Sequence, residues 1–296
     1  MLLDKKIPFN YILKKIRRNL VYVTVVGLVV QYVTSTFANM LPEMPLSIPV
    51  FLGTAISVLL SFKISQSYDR WWEARKVWGA IVNDSRSFVL QLQTLINAPA
   101  SQVKVMAYRQ IAWCYSLGQS LRGLNPLDNL ERFISNTDKE MISGHLNKPL
   151  ALLQLTALEL KQLKESGATD RYSHIQIDNT LVRLCDSMGK AERINSTVFP
   201  VTYRLFLHFT IYLFVILLSI SLQDVKAIFE VPLLVAISSV FFLLEKTAYH
   251  LQDPFRNRPS DTSVTAIATT IEINIKQLLG ETNVPPPASS DTFYIL

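Results

Sequence analysis

The residues that could act on a substrate or hold a metal are few and scattered. Four histidines, His145, His174, His208 and His250, stand far apart in a chain of 296 residues, and none belongs to an HExxH pattern. Neither a GxSxG turn nor a glycine-rich phosphate loop occurs. Cys114 and Cys185 lack the close pairing of a zinc or redox site. No catalytic residue, metal site or cofactor is therefore assigned, and the chain is not expected to be an enzyme. Two other features carry more. His208 interrupts an apolar run, where an ionisable group is costly unless it has a partner or a task. The run Tyr68-Asp69-Arg70-Trp71-Trp72-Glu73-Ala74-Arg75 packs aromatic rings and alternating charges together, as side chains at a membrane surface do.

Both features point to a lipid bilayer, and the composition agrees. Hydrophobic residues make up 49% of the chain and charged ones 18%, with a mean hydropathy of +0.25, whereas soluble domains are about a quarter charged. That balance excludes disorder and a disulfide-stapled scaffold. The net charge of +6 is concentrated in residues 1–19, where Lys5, Lys6, Lys14, Lys15, Arg17 and Arg18 face Asp4 alone. No basic patch with interleaved aromatics remains elsewhere, so nucleic acid is not an expected partner.

Asn19 to Pro42 is free of charge for 24 residues, more than the roughly 20 needed to cross hydrocarbon. The basic block before it would also suit a signal peptide, but a second apolar run follows at once, which favours a retained span. Met44 to Phe62 and Leu205 to Gln223 are uncharged apart from His208 and 19 residues long each. Val231 to Leu244, bracketed by Glu230 and Glu245, has only 14, a length more typical of a buried or re-entrant helix than of a span. Four membrane segments place both termini on the cytoplasmic side. The short 39–47 loop carries Glu43 alone and the 224–230 loop sets Lys226 against Asp224 and Glu230, while the N-terminal block and Lys63, Arg70, Arg75 and Lys76 fall opposite.

The parts that position these spans follow. Residues 1–19 form a basic cytoplasmic segment, 20–66 the first two membrane helices, and 67–199 a cytoplasmic bundle with apolar residues at helical spacing, as in Leu181, Leu184 and Met188. Residues 200–250 hold the third and fourth segments, 251–281 a cytoplasmic helical segment, and 282–296 a Pro/Ser-rich tail expected to be disordered. The fold class is all-α.

On the second span, Gly53, Ser57, Ser61 and Ser65 share one stripe and Thr54, Val58 and Phe62 a neighbouring one. Spacing alone favours the serine stripe for a water path, or for close helix packing.

The Tyr68–Arg75 run resembles the signature of the bestrophin family in its bacterial form. The resemblance extends through Gly189, Glu192-Arg193-Ile194, Pro200, Tyr203, Asp253-Pro254-Phe255, Asn257-Arg258-Pro259, Thr270 to Asn274 and Leu278-Leu279-Gly280-Glu281. It implies a homopentamer around one central pore that passes small inorganic ions, embedded in membrane lipid of the cell inner (plasma) membrane. It also implies a pore neck at Thr54, Val58 and Phe62, contrary to the serine expectation. An apolar ring can gate by dewetting, and phenylalanine edges favour anions without a fixed charge.

Three features depart from the family pattern. Thr54 is polar where a branched apolar residue is usual. The second, cytoplasmic aperture falls at Tyr172, with Ile175 the alternative. Animal members carry an acidic run after the Pro-Phe pair, but here the chain reads Arg256-Asn257-Arg258-Pro259-Ser260-Asp261, so calcium gating is not expected. Arg70, Trp71, Trp72, Glu73, Arg75, Asp253, Pro254 and Phe255 are read as structural signature residues. The expected function is a passive ion channel of the bestrophin type, selective for anions (chloride) and not gated by calcium. A monovalent-cation channel of the same fold, a proton-coupled carrier using His208, and a scaffold without conductance are the alternatives. Carriers tend to carry internal repeats, and none relates the first two apolar segments to the last two.

Overall fold

The computed structural model describes residue 2 and residues 5–37, 44–197, 200–223 and 225–296. Asp4, Pro42, Glu43 and Asp224, used above for charge and span limits, lie outside the described residues. The regular structure is helical, with an isolated antiparallel bridge between Leu2 and Tyr294. In chain order the helices are α1 (Phe9–Thr36), α2 (Ser47–Leu95), α3 (Ala100–Leu121), α4 (Asn136–Ser143), α5 (Lys148–Glu165), α6 (Arg171–Ser196), α7 (Val201–Ser221), α8 (Ala227–Gln252) and α9 (Val264–Leu278). Two compact units result. One comprises residues 5–70 and 198–253, and the other residues 1–4, 71–197 and 254–296.

In the first unit, α1, the start of α2, α7 and α8 are each long and apolar enough to cross a membrane. Lys5 and Lys6 of the basic block precede α1, whereas Lys14, Lys15, Arg17 and Arg18 lie in its first turns, since the helix starts at Phe9 behind Pro8, which supplies an extended N-cap. The 14-residue fourth segment is a correction. Its bracketing acids do not end a helix; α8 runs for 26 residues because both are buried and partnered. Ser219 Oγ donates to Glu230 Oε1 at 2.5 Å, and Lys63 Nζ donates to Glu245 Oε1 at 3.1 Å. Ile56, Leu60, Leu207, Ile211, Val215, Leu234 and Phe242 form the unit's core. Gly53 sits against Phe214: a Cβ there would lie 3.1 Å from the ring, so glycine permits this approach of α2 to α7.

The second unit packs the end of α2 with α3, α5, α6 and α9 around Trp78, Phe88, Trp113, Leu152, Leu184 and Ile271. Polar caps begin three of its helices: Ser135, Asn147 and Asp170 accept from backbone N–H groups one turn on. At the end of α9, Gly280 takes the left-handed conformation (φ 77°) that a C′ residue requires. The chain then turns Glu281 onto α3, where its carboxylate accepts from Tyr108 and pairs with Lys104 at 2.7 Å. The proline-rich segment, expected to be disordered, is tied to the unit instead. Tyr294 pairs with Leu2, and Ala266 N donates to Leu296 O at 3.1 Å. Cys114 is buried, and that burial pushes its thiol up to about 12, whereas Cys185 is exposed.

Two consequences are measurable. In the native protein a maleimide at pH 7.5 should label one cysteine per chain, lost in Cys185→Ser and retained in Cys114→Ser; rapid labelling of both thiols would contradict the buried position. Gly53→Leu should lower stability by about 1–3 kcal/mol through overpacking, read by thermal unfolding in detergent. Phe214→Ala should recover part of that loss, and an unchanged unfolding temperature would mean that α2 and α7 do not approach as described.

Candidate functional site

The membrane part of α2 has a buried and a bare side. Ile56, Leu60, Lys63 and Ser67 recur at three- and four-residue steps and are buried. Opposite them, Thr54 is exposed, Val58 is 50% exposed and Phe62 is 63% exposed. Ser57, Ser61 and Ser65 are exposed as well, so the two stripes form one broad bare surface on the single chain. Thr54 Oγ1 donates to Val50 O at 2.9 Å and Ser57 Oγ to Gly53 O at 2.8 Å. Both hydroxyls are thus satisfied inside the helix, and neither has to seek a partner in the space outside it.

Directly after Phe62 lies Lys63, a cation that the loop charges set on the cytoplasmic side of the span. It is buried, with Glu245 as its partner, and neither side chain has any solvent-exposed surface. The same carboxylate faces His208 Nε2 at 3.3 Å and Lys246 Nζ at 3.9 Å. The edge of the His208 ring packs on Phe242. The histidine that interrupts α7 therefore has a structural partner, and the sequence signal for that partner was the lone acid at the end of an apolar run. Burying such a pair costs desolvation of both ions, and the attraction offsets that cost only while both are present.

Arg70 and Trp71 of the signature are anchored to the end of α8 and to the chain that follows it. Arg70 Nε donates to Gln252 O at 2.9 Å, and Trp71 Nε1 donates to Ser260 O at 2.9 Å. Trp71 and Trp72 stack with ring centres 6.2 Å apart, and Glu73 pairs with Lys76 at 2.7 Å. Arg75 reaches along its own helix to within 3.8 Å of where a Cβ on Gly79 would stand. Asp253 forms the C-cap position of α8, Pro254 O accepts from Thr262 N at 3.0 Å, and Phe255 is buried. Asn257 adopts a left-handed φ of 61°, closing the loop so that Asp261 accepts from Arg258 N at 3.0 Å. Asp261 is itself buried, and burial raises its carboxyl above the ordinary range. Tyr172 and Ile175 lie on the first turns of α6, 84% and 48% exposed.

A family model described as bacterial/fungal bestrophin protein matches residues 8–277. The chain belongs to the bestrophin family. A voltage-dependent anion channel-forming protein of Ralstonia nicotianae is 29% identical over 246 residues, 82% of this chain and 80% of its own. The voltage-dependent anion channel-forming protein YneE of Escherichia coli is 30% identical over 246 residues, with coverage of 83% and 80%. The crystal structure of a bacterial bestrophin homolog from Klebsiella pneumoniae superposes with a TM-score of 0.84 at 27% identity, covering 90% of this chain and 99% of that one.

The buried ion pair yields a double-mutant test. Glu245→Ala alone should cost about 3–5 kcal/mol, because it strands Lys63, whereas Lys63→Met combined with Glu245→Leu should recover most of it. Thermal unfolding in detergent measures both; a single variant as stable as the parent would show that the pair is not buried together.

Proposed function

We propose that this bestrophin is a passive anion channel of the inner membrane, in which five copies surround one axis, α2 lines the path, and Thr54, Val58 and Phe62 form the neck. The observation that carries the reading is the bare face of α2. A helix of the apolar unit buries Ile56, Leu60 and Lys63 within its own chain and leaves Val58 and Phe62 uncovered one turn apart. In a closed ring such a face needs no partner from its own subunit. The names of the Ralstonia and Escherichia relatives support anions as the permeant class. Phenylalanine edges turned toward the axis would favour anions without a fixed charge.

Tyr172 or Ile175, exposed at the start of α6, would form the cytoplasmic aperture. Both termini and the bundle of residues 67–199 are assigned to the cytoplasm, with residues 251–281 returning to it and 282–296 following. Arg70, Trp71, Trp72, Glu73, Arg75, Asp253, Pro254 and Phe255 hold the signature turn rather than touch ions, a reading supported by the backbone bonds of Arg70 and Trp71 and the burial of Pro254 and Phe255. Calcium is not the gating ligand in this reading, since the run Arg256-Asn257-Arg258-Pro259-Ser260-Asp261 holds a single carboxylate and two guanidinium groups. Chemistry on a substrate has no part in the reading.

Planar-bilayer recording of the purified protein in a KCl gradient should reverse near the chloride potential. Phe62→Ala should raise conductance several-fold and move the reversal potential toward zero. Reversal near the potassium potential would replace anions by cations while retaining the neck. Unchanged conductance and reversal in Thr54→Ala, Val58→Ala and Phe62→Ala together would remove the neck from α2.

A further inference from the structure

We propose that the cavity between α1 and α7 is a binding site for the headgroup of an anionic phospholipid. The cavity has a volume of about 470 Å³ and lies wholly within the apolar unit. Arg18, Asn19 and Tyr22 contribute to it from α1, and His208 and Tyr212 from α7. A guanidinium can grip a phosphodiester with two parallel hydrogen bonds, and two phenols and an amide supply further donors. Asn19 is buried despite its polar side chain, and among the described residues no side-chain bond accounts for its place facing this space.

The field behind the cavity has the same sign as Arg18. His208 turns Nε2 to Glu245, but that single carboxylate already faces Lys63 and Lys246. Two lysines against one acid leave a net positive cluster at the α7 side, whatever the protonation of His208. Along α1 the lining then changes character. Val25 and Val26 complete it, seven and eight residues beyond Arg18, about 10–12 Å along a helix axis. Beyond them Val29 is 57% exposed, with Leu28 and Val33 beside it. A charged end that runs into apolar helix surface matches a phosphate joined to acyl chains better than a free inorganic ion. The position also fits the proposed topology, in which the basic first turns of α1 stand at the level of the headgroups.

Arg17 provides the internal control. It neighbours Arg18 in the chain but lines a different, apolar hollow with Leu13, Leu20 and Val21. The purified full chain in detergent is offered phosphatidylglycerol or phosphatidylcholine with identical acyl chains, and bound lipid is counted by native mass spectrometry. Phosphatidylglycerol should bind about tenfold tighter than phosphatidylcholine. Arg18→Gln and Tyr212→Phe should each remove about tenfold of that affinity, as loss of a charge-assisted or phenolic hydrogen bond predicts, while Arg17→Gln leaves it unchanged. Equal retention of the two lipids would overturn the proposal. So would equal losses from Arg17→Gln and Arg18→Gln, which would mean diffuse attraction to a basic surface. Displacement of the lipid by inorganic phosphate at equimolar concentration would overturn it in favour of a free-anion site. The readout is bound lipid and stands whether or not the channel conducts.

Discussion

Lys63 on α2 and Glu245 on α8 meet at 3.1 Å with no solvent-exposed side-chain surface, 182 residues apart in the chain, and the arrangement of the apolar unit follows from keeping them together. An unpaired ion in that environment would be far more costly than the pair. The pair therefore fixes the rotation of α2, since Lys63 must point at α8, and with it Ile56, Leu60 and Ser67 turn inward. Tyr203 donates to Leu59 O at 2.8 Å and tethers α7 to the same region of α2. Once that face is committed, Thr54, Val58 and Phe62 have no choice but the opposite one. The bare stripe is thus a consequence of a buried charge one residue away from Phe62.

The polar unit uses the same device with more water at hand. Glu272 on α9 is buried and accepts from Tyr115 at 2.8 Å, with Lys276 at 2.9 Å and Arg132 at 3.5 Å. Arg109 on α3 is held between Asp138 at 2.9 Å and Glu159 at 2.7 Å, joining α3 to α4 and α5. Arg86 donates to Asn274 at 2.8 Å, tying α2 to α9. Family motifs in the C-terminal third, including Glu272, Asn274 and Glu281, thereby act as ties to α2 and α3. Their chemistry is positional: a charged group fixes one helix against another, with direction as well as distance.

Much of this was legible in the residues. Charge-free runs marked the first three membrane helices, helical spacing of leucines marked the bundle, and the Trp71-Trp72 signature with Asp253-Pro254-Phe255 marked the family. The misreadings share one cause. Glu230 and Glu245 read as the ends of an apolar run, and Lys63 as a charge beyond the second span, because hydropathy scores each residue alone, while their partners, Ser219 for Glu230 and Lys63 for Glu245, lie across a turn or far away in sequence. A fourth span of 26 residues was read as 14 for that reason. The tail misled similarly: proline and serine suggest disorder, yet Tyr294 and Leu296 bond to residues the sequence does not place beside them.

The sequence by itself determined the class: an all-helical membrane chain of the bestrophin family, because long apolar runs and a dense aromatic-charged signature are local properties that need no partner to be read. Which side of α2 is bare was decided only by tertiary structure. The serine stripe and the Thr54, Val58, Phe62 stripe are neighbours on one helix, and their spacing is identical. Both stripes fall on the bare side, and what sets that side apart from the buried one, the pairing of Lys63 with Glu245, exists only once α2 and α8 are packed together.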